Sequence, residues 1–385
     1  MLNPKVPGRA PSRRPAPLVD PVAPAEPKSF APREQRSPAA IETPTAGLDL
    51  RRRALIVVPT LNEARSVGTI IARMLDDDGL VDPLVVVADG GSDDGTREIV
   101  REIAARDPRV RLIANPGRLQ SAGLNIAAAV GGDRAWLVRV DAHADYPKNY
   151  ASTLIDEAIR MQASSVVVSM LTLGVTPFQR GAAAAQNSRL GAGGSPHRRS
   201  GAGRWVDHGH HALFSLAAFQ AAGGYDETFS HNEDAELDLR LTRLGERIWL
   251  TDKVRIGYYP RRNPLALWKQ YFSYGKGRAR TALKHYAALK FRQALPLAVA
   301  PAALGLALSP LFWPLALPAL AWALGALGYG AVLALLKGDM AVLLAGPAAM
   351  IMHLAWSTGF WTQLLTHGGQ RWVEKVLAPP RQAVS

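Results

Sequence analysis

From Ala54 onward the chain alternates short, almost unbroken apolar runs with segments whose apolar residues return at helical spacing. The runs cover 54–58, 84–88, 110–114, 135–140 and 166–171 and are rich in Val, Ile and Leu. Runs with so little polar alternation are what strands buried on both faces require. Between the first two lie Val67, Ile70, Ile71, Met74 and Leu75, which make one stripe of an amphipathic helix. Thr96, Ile99, Val100, Ile103 and Ala104 repeat the spacing after the second run. Strand–helix–strand alternation predicts an α/β fold with a doubly wound, mostly parallel sheet. Such sheets bind ligands beyond the carboxyl ends of their strands, so those ends are where chemistry is sought.

The flanks read differently. Residues 1–50 hold 11 prolines and no sustained apolar period, so this segment is expected to be disordered; it also lacks the apolar core of a signal peptide. Residues 181–204 mix Gly, Ala, Ser and Arg without period and read as a mobile loop, a lid over a site. Residues 293–370 contain only Lys337 and Asp339 as formal charges. Their apolar stretches, 294–313, 315–336 and 340–365, each reach the ~20 residues that span a bilayer as a helix. Pro310 and Pro314 separate the first from the second, and Lys337-Gly338-Asp339 the second from the third. Three spans put the C-terminus outside, whereas Arg371, Lys375 and Arg381 favour the inside, which suits two or four.

Charge sharpens this picture. The net formal charge is +13, but residues 54–252 carry 20 basic and 25 acidic side chains, and residues 253–292 carry 11 basic and none acidic. A basic block directly before apolar spans marks a cytoplasmic membrane face rather than a nucleic-acid surface. The chain has no cysteine, which excludes disulfides, thiolate metal centres and a cysteine nucleophile.

Candidate chemistry gathers after the apolar runs. The first is followed by Pro59-Thr60-Leu61-Asn62-Glu63, and the second by Asp89-Gly90-Gly91-Ser92-Asp93-Asp94-Gly95-Thr96. Each opens a helix, where a nucleotide or ordinary turn and cap chemistry fits equally. There is neither a GxxxxGK[ST] nor a GxGxxG at the first turn, so a P-loop ATPase or a dinucleotide enzyme is not expected. After the fourth run, Asp141 and His143 suit a divalent cation on a diphosphate, or a capping Asp beside a surface His. Asn232-Glu233-Asp234 opens a helix with the stripe Leu237, Leu241 and Leu244; Asn232 is the expected cap. Its acidic residues either complement the helix dipole or offer a general base. His208, His210 and His211 lack HExxH spacing, and zinc is not expected.

In this order, and with Asn115-Pro116-Gly117 and Arg118 and with Gly223-Gly224-Tyr225-Asp226, these motifs resemble the family-2 glycosyltransferases over residues 54–262. With Asp141-Ala142-His143, Gly209-His210-His211, His231-Asn232-Glu233-Asp234 and the apolar C-terminal part, the likeness is greatest to the succinoglycan-biosynthesis glucosyltransferases of bacterial exopolysaccharide pathways. The resemblance implies a GT-A fold followed by transmembrane helices. The divisions are then a tail (1–53), a catalytic domain (54–262), a basic membrane-proximal segment (263–292), transmembrane helices (293–370) and a tail (371–385).

It further implies an inverting, metal-dependent enzyme of the cytoplasmic (inner) membrane with its catalytic domain in the cytoplasm. That enzyme moves glucose from UDP-glucose to a lipid-linked (polyprenyl diphosphate) saccharide. Pro59, Asn62, Glu63 and Asp89 then line the uridine pocket, Arg118 reaches the nucleotide or its phosphates, and Asp141 holds Mg²⁺ or Mn²⁺. Asp234 is the base that deprotonates the acceptor hydroxyl. The family usually has a second Asp where this chain has His143, which leaves the imidazole's part in ligation, and the preferred ion, open. His210, Glu233, Lys276 and Arg278 are expected on the acceptor side. Lys276, Arg278, Arg280, Lys284, Lys290 and Arg292 either meet anionic lipid and the acceptor's pyrophosphate or simply anchor the chain. Processive members carry QxxRW; the corresponding Gln270-Tyr271-Phe272-Ser273-Tyr274-Gly275 lacks the Arg and Trp, so polymerisation is not expected. The alternatives are a polyprenyl-phosphate sugar transferase and a non-catalytic, membrane-tethered nucleotide-binding protein. Membrane lipids are expected partners and nucleic acid is not.

Overall fold

The computed structural model describes residues 50–192, 202–289 and 294–367. The Pro-rich tail to residue 49, part of the expected lid, Lys290, Arg292 and the basic residues after 367 lie outside the described residues, together with the expectations placed on them.

Eight strands make one mixed sheet in the order β3-β2-β1-β4-β7-β5-β8-β6. They are β1 (Ala54–Thr60), β2 (Leu84–Asp89), β3 (Val110–Ala114), β4 (Trp136–Arg139), β5 (Ser165–Thr172), β6 (Arg204–Val206), β7 (His210–Ser215) and β8 (Ile248–Tyr258). The first four pair in parallel, as the pattern predicts, with α1 (Val67–Leu75), α2 (Thr96–Arg106), α3 (Gln120–Ala129) and α4 (Tyr150–Met161) between and after them. The α1 stripe is buried in the same cluster as Ile56, Val58, Val85 and Val87. Parallel register sets Thr60 opposite Asp89 and Asp89 opposite Ala114, which brings the carboxyl ends to one edge. β7 runs antiparallel between β4 and β5. Its first residue, His210, therefore starts from that same edge.

The expected lid is only partly a loop. Residues 177–186 form α5 (Pro177–Gln186), and α6 (Arg189–Ala192) follows. Thr176 and Gln179 close a capping box at the α5 N-terminus, with Pro177 in the first turn. Ala182, Ala184 and Ala185 pack in a buried cluster with Ala345, Ala348 and Ala349. The small residues read as loop composition, yet here they permit close helix packing: a Cβ at Gly181 would lie 2.5 Å from Leu344 Cβ.

The chain continues through α7 (Leu216–Ala221), α8 (Glu233–Arg243) and α9 (Pro264–His285) to the C-terminal α10 (Val299–Leu308), α11 (Leu317–Lys337) and α12 (Ala345–Thr366). The first apolar stretch departs from expectation. It forms a 3₁₀ turn over Leu295–Ala298 and the ten-residue α10, about 15 Å long and too short to span a bilayer. Among the described residues two helical segments, Trp313–Lys337 and Met340–Thr366, are long and apolar enough to cross. Leu335 and Leu336 on α11 are 82% and 78% exposed. α12 instead lies along α9, where glycines permit backbone contact. A Cβ at Gly275 would fall 2.0 Å from Trp356 O, and one at Gly359 2.1 Å from Phe272 O.

Candidate active site

The β1 and β2 turns are fastened to each other by the motif residues themselves. Asn62 N–H donates to Ser92 Oγ at 2.9 Å, Asp93 N–H to Asn62 Oδ1 at 3.0 Å, and Glu63 N–H to Thr96 Oγ1 at 2.9 Å. Asp89, buried at the end of β2, accepts from Gly91 N–H, Ser92 N–H, Ser92 Oγ and Thr60 Oγ1. Burial pushes its carboxyl up, but these hydrogen bonds outweigh it and hold the pKa below the usual value. Asp89 and Arg118 line a side cavity of about 470 Å³ with Arg97, Arg101 and the Ala114–Pro116 turn. Pro59, Thr60 and Leu61 line the main cavity, whereas Asn62 and Glu63 lie outside both linings and hold the turns.

The centre of the main cavity is built around Arg139, a residue that strand patterning alone reads as part of the buried run 135–140. Its guanidinium donates to Asp234 Oδ1 at 2.9 Å and to Gln120 Oε1 at 2.6 Å, and its Nε lies 3.6 Å from Asp141 Oδ1. Gln120 Nε2 in turn donates to Asp141 Oδ1. Burial opposes the Arg139 charge, yet Asp234 and Asp141 hold its pKa well above the ordinary value. The reverse holds for Asp141: burial pushes its pKa up, and Arg139 above all brings it below the usual range. A cation at the end of a hydrophobic strand is the one signal that marked Arg139; Gln120 carries none.

Asp234 sits in the first turn of α8. Tyr225 OH donates to the same Oδ1 at 2.8 Å, and His210 Nδ1 lies 3.8 Å from Oδ2. Burial, then the Asp234 charge, raises the Tyr225 pKa well above its usual value, so the phenol stays a donor. The Gly223-Gly224 turn explains how Tyr225 arrives there. Both glycines have positive φ, and a Cβ on Gly224 would strike Asn125 Oδ1 at 2.5 Å. Asn125 grips Tyr225 through both backbone groups. Asn232 caps α8 with left-handed backbone, not with its side chain as expected; Asn232 Nδ2 donates to Thr281 Oγ1 of α9.

Among the described residues Asp141 accepts through Oδ1 from Gln120, and exposed His143 pairs through Nδ1 with Glu63 Oε1 at 2.9 Å. A carboxylate oxygen and an imidazole nitrogen fit a divalent cation whose other positions come from diphosphate and water. Among the described residues no group of three or more His, Asp or Glu side chains gathers in a way that could hold a metal ion.

His210, Glu233 and Arg278 line the same cavity of about 1200 Å³ as Asp141, His143 and Asp234, and so does Arg118. Lys276 is exposed and lies outside the lining. Two residues of the basic block are held by protein groups rather than left for lipid. Arg280 donates to Thr228 O and stacks on Phe229, and Lys284 pairs with Asp226 at 2.7 Å and Glu236 at 2.6 Å. The cavity reaches on to Val299 of α10, Trp322 of α11 and Met352 and Trp356 of α12.

The sheet of this order, with carboxylates gathered at the ends of β2 and β4, is that of an α/β GT-A-like fold. Residues 55–221 match the model of glycosyl transferase family 2. The succinoglycan biosynthesis protein ExoA of Rhizobium meliloti (strain 1021) is 51% identical over 313 residues, covering 81% of this chain and 95% of the relative. The chain belongs to glycosyltransferase family 2. Its fold is similar to that of the mannosyltransferase PcManGT from Pyrobaculum calidifontis, solved with GDP-Man and Mn²⁺ (TM-score 0.52, 21% identity, 82% of this chain and 88% of the other).

Proposed function

We propose that the protein is a membrane-anchored, inverting, metal-dependent hexosyltransferase of the cytoplasmic membrane, with its catalytic domain in the cytoplasm. It moves glucose from UDP-glucose to a polyprenyl-diphosphate-linked saccharide during assembly of a succinoglycan-type exopolysaccharide. The observation that carries this reading is the single cavity that joins Asp141 and Asp234 to the apolar helices. A nucleotide sugar is soluble and a lipid-linked saccharide stays in the bilayer, so the two must meet where such a cavity opens. The relative from Rhizobium meliloti, a succinoglycan biosynthesis protein by name, supports the polysaccharide. The two long apolar helices support the anchoring.

In this reading Asp89, on turns that Asn62 and Ser92 fasten together, meets the nucleoside, and Arg118 meets it or its phosphates. Asp141 and His143 hold Mg²⁺ or Mn²⁺, which when bound offsets the charge developing on the leaving diphosphate. Arg139 and Tyr225 both hold Asp234 Oδ1 and so orient the carboxylate, which takes the proton of the attacking hydroxyl. One base and in-line attack invert the anomeric carbon, and no covalent nucleophile is needed. Glu233 and Arg278, on the cavity wall, face the acceptor.

The test is donor consumption by purified membranes across a panel of UDP- and GDP-sugars, with Mn²⁺, Mg²⁺ or EDTA. Consumption of UDP-glucose that stops in EDTA is expected, with a product mass of sugar joined to sugar. A sugar–phosphate product would make the protein a polyprenyl-phosphate sugar transferase, and UDP binding without any turnover would leave a non-catalytic nucleotide-binding protein.

A further inference from the structure

α12 is fastened to the catalytic domain at both of its ends. Just before it, Asp339 pairs with Arg180 of α5, and Leu344 packs against Gly181. Ala345, Ala348, Ala349 and Met352 then share one buried cluster with α5 and with Leu267 of α9. Midway, His353 Nε2 lies 2.7 Å from Leu190 O of α6. At the far end Phe360 and Leu364 are buried with Ala279 of α9. α9 is itself bound to the active-site end of the domain. Lys284 pairs with Asp226 and Glu236, Thr281 Oγ1 accepts from Asn232, and a Cβ at Gly277 would lie 2.5 Å from His231 O. α9 also carries Lys269, Lys276, Arg278, Arg280 and Lys284, a set of charges that no bilayer core admits together. A helix of 22 residues is about 33 Å long. Were α12 to cross a bilayer, one end would stand on the far side from the domain, yet both ends rest on it.

α10 and α11 lie over α12 as an outer layer. Leu297 O, in the turn before α10, accepts from Ser357 Oγ at 3.0 Å and from Trp361 Nε1 at 2.9 Å. α11 runs along α12: Trp322 Nε1 donates to His353 Nδ1 at 3.3 Å, and a Cβ at Gly330 would meet Gly346 N at 2.6 Å. The small residues Ala319, Ala326, Gly330 and Ala334 make this close face. Leu320, Leu324, Leu327 and Leu335 are exposed, as are Leu311, Phe312 and Trp313 at the turn between α10 and α11. The sequence carries no charge from 294 to 336. An apolar face of this extent marks a partner. Two features make that partner lipid. Lys269 and Lys276 stand exposed on α9 beside α12, a basic rim suited to anionic headgroups. Val299 of α10 and Trp322 of α11 line the cavity that holds Asp141 and Asp234, where a lipid-linked acceptor would enter.

We propose that α10 and α11 form a lipid-docking face that seats the protein in the cytoplasmic leaflet, with neither α11 nor α12 crossing to the other side. This inference rests on the reading of the protein as membrane-anchored with its catalytic domain in the cytoplasm.

The chain has no cysteine, so single cysteines report sidedness directly. Full-length protein bearing Arg106→Cys at the end of α2, Lys337→Cys at the α11–α12 turn, or Leu311→Cys before α11 is expressed in bacterial cells. Each is treated with a membrane-impermeant maleimide. Arg106→Cys and Lys337→Cys are expected to react in inverted inner-membrane vesicles, and none of the three in spheroplasts. Reaction of Lys337→Cys or Leu311→Cys in spheroplasts, with Arg106→Cys protected there, means a crossing helix and overturns this inference alone. The pair Leu324→Glu and Leu335→Glu is expected to shift the protein from the membrane pellet to the supernatant. Its Kd for UDP, read by fluorescence titration, stays at the wild-type value. A pellet fraction equal to wild type overturns the lipid-docking face. Wild-type protein recovered in the supernatant, as a monomer or as a dimer joined through this face, overturns the anchoring beneath it as well. Reaction of Arg106→Cys in spheroplasts overturns the cytoplasmic placement.

Discussion

Arg139 reaches Asp234 Oδ1 at 2.9 Å while its Nε stands 3.6 Å from Asp141 Oδ1, so one buried cation is shared between the proposed base and the proposed metal ligand. Without it, the two carboxylates face each other across the cavity with that shared charge removed. Arg139→Met should therefore lower stability by about 3–5 kcal/mol, the cost of breaking a buried pair from one side. Arg139→Lys keeps the charge but loses the fork that engages Gln120 and Asp234 together, and should fold with reduced transfer. Chemical denaturation followed by tryptophan fluorescence checks both; a wild-type midpoint for Arg139→Met would contradict the shared-cation account.

His143 stands where an oxygen ligand is usual, and imidazole suits Mn²⁺ better than Mg²⁺. His143→Asp is expected to raise activity with Mg²⁺ relative to Mn²⁺ several-fold, measured as initial rates of UDP release at saturating ion. An unaltered metal ratio would show that His143 acts through Glu63 alone.

The α9–α12 contact has no space for side chains at its glycines. Gly275→Leu forces a side chain into Trp356 O and should cost about 1–3 kcal/mol or more, since overpacking cannot relax against backbone. Thermal aggregation of the detergent-purified protein is the readout, with Gly325→Leu, whose added Cβ meets nothing within 4 Å, as the control that should stay near wild type.

Acid should unfold the protein in two steps set by the cluster between α8 and α9. Burial lowers the His285 pKa beneath its ordinary 6.5 despite Glu236, so the folded state resists protonation there. Stability from that group is present above 6.5 and declines as pH falls below it. Burial pushes Asp226 up, but Lys284 and Thr228 bring it down to about 2 from 3.8. Its contribution is complete above the unfolded value and lost as pH falls from 3.8 toward 2. Tm plotted against pH should drop in both windows, and His285→Gln should remove the first drop only.

The parallel half of the sheet was legible because β1 and β2 are nearly continuous apolar runs, β4 is apolar but for Arg139, and α1 repeats at helical spacing. β7 was not, because it begins His210-His211 and is defined by whom it pairs with rather than by its own pattern. The 3₁₀ and α10 segment shows the opposite limit: composition marks it as apolar, but Pro310, just past the end of α10, divides what hydropathy joins. At the site, Asp89, Asp141 and Asp234 are visible as acidic residues after strands or at a helix start. The parts that Arg139, Gln120 and Tyr225 play emerge only when folding brings positions 120, 139, 225 and 234 together, a long-range relation that no local spacing encodes.

Asp234→Asn tests the central claim most directly. Asparagine can still accept from Arg139 and Tyr225 through one oxygen, so the site should persist while the base is lost. The account predicts sugar transfer reduced at least about 10²-fold, the scale of general-base catalysis, with UDP-sugar affinity within about twofold of wild type. Transfer at the wild-type rate, or equal loss of transfer and donor binding, would contradict it.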